Sequence, residues 1–112
     1  MRTTLFFTPA ILLGACAGWT PAISSEPAAR VQYGDLALDR AEGRAALRDR
    51  VATAATDYCA RHEREVTPDA LRNDNFYCRE RLRDTLVAEM PSNVRRAYAE
   101  ALREAGIRGR RL

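Results

Sequence analysis

Apolar and polar positions first alternate along this chain and then settle into a helical period. In "VQYGDLAL", residues 31–38, Val31 and Tyr33 alternate as in a strand, Gly34-Asp35 interrupts, and Leu36 and Leu38 resume the alternation. A single strand cannot satisfy its own backbone, so this stretch is expected to lie across helices or to pair with another chain. Further on, Leu47, Val51, Ala55 and Cys59 recur every four residues with Ala54 and Tyr58 beside them. That spacing predicts one amphipathic helix from about residue 40 to residue 62, opened by Asp39 and Glu42 as a capping box. The polar run "REREVTPDALRNDN" follows, in which Thr67-Pro68-Asp69 can start one helical turn and Asn73-Asp74-Asn75 ends it. A second helix carries Cys78, Leu82, Leu86 and Met90 at intervals of four and is closed by Pro91. Ser92 then caps a third helix whose Val94, Tyr98, Ala101, Leu102 and Ala105 face inward, and Gly106 stops it.

The first residues change the picture from a plain helical protein to an exported one. Arg2 is the only charge before residue 26, and "TTLFFTPAILLGACAG" after it has the length and apolarity of a signal peptide. Residues 1–17 are therefore expected to be removed, with cleavage before Cys16 or as late as residue 24 as alternatives. Leu12-Leu13-Gly14-Ala15-Cys16 is also an acceptable lipobox, which makes Cys16 a candidate lipidation site. Residues 18–30, rich in Ala, Pro and Ser, suit a flexible tether.

Cleavage after Ala17 removes 17 of the 112 residues, and the domain from 31 to 106 is then small enough to need covalent help. The cysteines supply it. With Cys16 gone or lipidated, Cys59 and Cys78 remain as an even pair in an oxidising compartment. Cys59 ends the first stripe and Cys78 opens the second, so folding the two helices back antiparallel brings both to one end of the hairpin. The predicted fold is mainly α: a short N-terminal extended strand, a disulfide-linked antiparallel helical hairpin and a short third helix, followed by the basic tail 107–112.

Formal charge is +3, with 18 arginines and no lysine. Between Val31 and Ala105, however, 13 arginines meet 14 acidic residues, so the excess sits at the ends and no nucleic-acid partner is expected. "YCARHE" places the lone His62 three residues after Cys59, yet zinc would need further ligands, and a nucleophilic pair would need a free thiolate. No redox CxxC, haem CxxCH, phosphate cradle, GxSxG or HExxH occurs. No catalytic residue, cofactor or bound metal is expected.

Three stretches together, "VQYGDLAL", "GRAALRDRVATAATDYC" and "YCRERLRDTLVAEM", resemble the UrcA family of small exported bacterial proteins. The matching positions are Tyr33, Asp35, Leu36, Leu38, Gly43, Leu47, Arg50, Ala54, Ala55, Cys59 and Cys78, within residues 31 to about 100. After Cys78 the chain departs from the pattern, with arginines and glutamate in place of a more alanine-rich run. The resemblance implies an exported, disulfide-bearing domain and supplies no catalytic residue. The function expected from the whole sequence is a non-enzymatic envelope interaction protein, periplasmic or secreted, with membrane contact only through an anchor at Cys16. Its expected partner is another envelope protein, met at the edge formed by Val31, Tyr33, Asp35, Leu36 and Leu38. The alternative is a metal- or small-ligand-binding protein acting through Glu63, Glu65, Asp69 and Asp74 in the loop between Cys59 and Cys78.

Overall fold

The computed structural model describes residues 29–108; the leader, Cys16 and most of the tether lie outside the described residues. Three α-helices follow one another: α1 over Ala41–Val66, α2 over Tyr77–Ala88 and α3 over Ser92–Glu104, with a 3-10 turn at Asp69–Leu71 between the first two. The mainly helical class holds, and so does the bond between Cys59 and Cys78.

Helix α1 is the spine of the molecule. Its stripe of Leu47, Val51, Ala55 and Cys59 is buried along the whole length, as the period of four requires. The far end differs from expectation. His62 leaves helical geometry at φ −126° and ψ 19°, near the predicted end, but the helix then continues to Val66. At the near end Arg40, not Asp39, is the capping residue, and no side chain caps it. Asp39 lies one residue too early, in a turn closed by the Arg40 amide donating to the Ala37 carbonyl over 3.0 Å.

The core proper is packed at the near half of α1. Leu47 and Val51 meet Met90, Val94, Ala97 and Tyr98, with Val31, Tyr33, Leu36, Leu38, Val87 and Leu102 around them. Burying such side chains is worth about 1.5–3 kcal/mol each. Beyond Val51 the buried positions of α1 are only Ala55 and Cys59, two small side chains. The two ends of the spine are thus secured differently, one by apolar burial and the other by the disulfide.

Helix α2 turns a slightly different face inward from the one predicted. Cys78, Arg83 and Leu86 are buried, while Leu82 is only half-buried. Arg83 lies along the core and its guanidinium reaches the Asp84 carboxylate at 2.8 Å. In α3 Ala97 joins the inner face and Ala105 is exposed, contrary to its predicted inward position, because the helix has ended at Glu104. Gly106, at φ 69°, closes it as a Schellman motif: its amide donates to Arg103 and that of Ile107 to Leu102. Pro91 is the capping residue of α3, so Ser92 stands one position inside.

Residues 29–40 form no strand. The segment 31–39 crosses the helices as a strap with two turns, the first closed by the Leu36 amide donating to the Tyr33 carbonyl. The predicted alternation is present, but it is answered by burial of Val31, Tyr33, Leu36 and Leu38 against the core rather than by a partner strand.

Candidate functional site

The residues singled out by the sequence gather in two places, the strap and the bridged end of the hairpin. Two arginines of α1 hold the strap. Arg50 forks onto Asp35, each of two nitrogens 2.7 Å from a carboxylate oxygen, and also donates to the Gln32 carbonyl at 2.9 Å. That pair pulls the Asp35 carboxyl down to about 2, mainly through the Arg50 hydrogen bond and secondarily through its own backbone amide. Arg44 donates to the Leu38 carbonyl and binds the Glu104 carboxylate of α3, holding the latter below the usual carboxylate range. Gly43 lets the strap come close: a Cβ there would lie 2.6 Å from the carbonyl carbon of Ala37. The four apolar residues of the expected binding edge therefore face the core, Asp35 is engaged by Arg50, and the Gln32 carbonyl is taken. Between the strap and the end of α2 a cleft of about 230 Å³ opens, lined by Val31, Tyr33, Leu86, Glu89 and Met90 with Ala29 and Arg30 at its rim.

The other place is the far end of the spine. The Cα atoms of Cys59 and Cys78 are 6.0 Å apart across the bridge, and both side chains are buried. His62 sits on the Tyr58 ring, centroids 4.5 Å apart, and its Nδ1 is 3.2 Å from Glu65. Asp69 pairs with Arg72, and Asp74 accepts from the Phe76 amide at 2.9 Å. Glu65, Asp69 and Asp74 are thus each occupied, while Glu63 is exposed and its carboxylate makes no ion pair or hydrogen bond with a described residue. Among the described residues no group of three or more potential metal ligands comes together.

What the loop does present is apolar. Leu71 is 40 % exposed and Phe76 is 53 % exposed, the two exposed large apolar side chains among the described residues. The Arg79 guanidinium lies over the Phe76 ring at 5.1 Å from its centroid. Phe76, Arg79 and Glu80 of α2 and its approach face Ala52, Ala55 and Thr56 of α1 across a groove of about 130 Å³. Sequence reasoning passed over Leu71 and Phe76 because neither belongs to a periodic stripe; an apolar residue stranded in a polar loop was the only signal.

No described helix is long and apolar enough to cross a membrane. Compared with known proteins, the chain matches no family model, no curated protein and no solved structure.

Proposed function

We propose that this is an exported UrcA-like interaction protein, periplasmic or secreted and not an enzyme, which takes an apolar side chain of a partner protein into the groove beside Phe76. One observation carries the reading: among the described residues, the two large apolar side chains left in water both lie in the loop that the disulfide closes. Exposing them costs hydration free energy, and the bridge holds them in fixed positions that a partner can meet without ordering the loop first. The strap, the other candidate surface, already spends its apolar side chains on the core. Export is supported by the apolar leader and by a disulfide, which persists in oxidising compartments.

A photo-crosslinking residue placed at position 76 in cells tests the site, with position 53, exposed on α1, as control. A discrete adduct from 76 and none from 53, lost when Leu71 is changed to Asp in a protein of unchanged circular dichroism, is the expected result. Equal labelling from both positions would remove the proposal. Intact mass of the protein from its own cells, with and without reductant and thiol alkylation, checks leader removal, acylation of Cys16 and the bridge together.

A further inference from the structure

Charge divides along this chain at Pro91. From Val31 to Pro91 there are 10 arginines and 12 acidic residues, whereas from Ser92 onward 6 arginines stand against 2 glutamates. Three of those arginines, Arg95, Arg96 and Arg103, lie on α3, which sorts its residues by face. Val94, Ala97, Tyr98 and Ala101 are buried, and at 100° per residue the opposite side carries Ser92, Arg96, Ala99 and Arg103, all exposed. Of the two glutamates, Glu104 is neutralised by Arg44, and the field of Glu100 falls on that same Arg44. Arg95 flanks the face and donates to the Ala88 carbonyl at 3.2 Å. The guanidinium groups of Arg96, Arg103 and Arg108 make no salt bridge or hydrogen bond with any described residue, although the charge of Arg103 acts on Glu104.

We infer that this outer face of α3 docks on an anionic phospholipid surface, with Arg96 and Arg103 on the face and Arg108, exposed beyond the end of the helix, as the phosphate-binding groups. Arg96 and Arg103 are two turns apart, about 10 Å along the axis, and point the same way, so both can lie on one plane. A guanidinium presents a fork that matches two phosphate oxygens, and it is weakly hydrated compared with an ammonium. Ala99 between them and Ser92 before Arg96 are small, which lets the long side chains lie flat. No large apolar residue stands on that side, so the contact is electrostatic adsorption rather than insertion. The surplus acids before Pro91, on the strap at Asp35 and Asp39, in the loop at Asp69 and Asp74, and after α2 at Glu89, disfavour wrapping by a polyanion and restrict contact to one face. The choice of lipid over nucleic acid rests on the export proposed above; the basic face itself does not depend on the Phe76 groove.

The test uses protein harvested oxidised from its own cells and compares vesicles of pure phosphatidylcholine with vesicles containing phosphatidylglycerol, so that any N-terminal anchor contributes equally to both. Preferential binding to the anionic vesicles, weakened by about fivefold for each arginine removed in Arg96→Gln/Arg103→Gln/Arg108→Gln, is the expected result. The control Arg40→Gln/Arg61→Gln/Arg64→Gln changes net charge equally at exposed positions elsewhere and should bind as the parent does. Equal binding to both vesicle types, equal losses in the two triple variants, or tighter binding to duplex DNA than to anionic vesicles would each overturn the inference. Loss of crosslinking at position 76 would leave it standing, because the two surfaces share no residue.

Discussion

Gly43 and Tyr98 show how much single positions decide. Gly43 lies in the first turn of α1, where the strap's backbone at Ala37 leaves no room for a side-chain carbon. The obstacle is backbone, which cannot rotate away, so Gly43→Ala should cost about 1–3 kcal/mol by displacing the strap. A urea midpoint unchanged from the parent would contradict this. The Tyr98 ring fills the core, but its hydroxyl is buried with no hydrogen-bond partner among the described residues. Burial pushes that phenol above its ordinary value, with nearby charges of Arg83 and Asp84 as smaller and opposing influences. The folded state therefore keeps a proton that the unfolded state gives up as pH rises past about 10, and stability should fall with rising pH there. Tyr98→Phe should remove the alkaline loss and leave neutral stability unchanged or raised by about 1 kcal/mol, as denaturant curves at neutral and alkaline pH will show.

Among the elements, the strap and the hairpin are held by opposite means. The strap depends on charge-assisted hydrogen bonds from α1. Since the Asp35 carboxyl is depressed in the fold, its contribution is fully present above the ordinary carboxylate value of 3.8 and is lost as pH falls through about 2. Side-chain resonances of Tyr33 and Leu36 should accordingly hold their native shifts at pH 4 and move only as about pH 2 is approached. Asp35→Asn should loosen the strap at neutral pH, seen as faster tryptic cleavage after Arg40; unchanged cleavage would mean that apolar burial alone holds it. The hairpin depends on the bridge, which closes a sequence separation of 19 residues. In the chain-entropy model that is worth about 3 kcal/mol, a large part of what a domain of this size has, and Cys59→Ser/Cys78→Ser should lose it. The helices should survive in far-ultraviolet circular dichroism while the denaturation midpoint drops.

For the whole molecule, the unequal ends of α1 set which parts open together. The near half carries Leu47 and Val51, fully buried under α3 and the strap, and a cross-tie from Arg44 to Glu104 that joins positions 60 residues apart. The far half has Ala55, Cys59 and the bridge. Reduction should therefore accelerate amide exchange by about a hundredfold over residues 60–66 and 77–81, leaving residues 47–51 protected. Uniform loss of protection would show that the apolar core and the bridge form one cooperative unit. The two proposed surfaces divide along the same asymmetry: the partner groove sits at the stapled end, and the basic face of α3 belongs to the packed end.

Although α2 ends at Ala88, short of the stop expected at Pro91, the sequence taken alone determined the helical class, the buried stripe of α1, the stop at Gly106 and the pairing of Cys59 with Cys78. Each of these follows from local periodicity, backbone chemistry or chain order, which neighbours along the chain suffice to specify. Only the tertiary structure decided the path of the strap, the replacement of Leu82 by Arg83 on the buried face of α2, and the roles of Gly43 and of Arg44 toward Glu104. It also decided that Leu71 and Phe76 stay in water. Those outcomes depend on which distant residue fills the space beside a side chain, and a pattern of intervals along one chain carries no record of that.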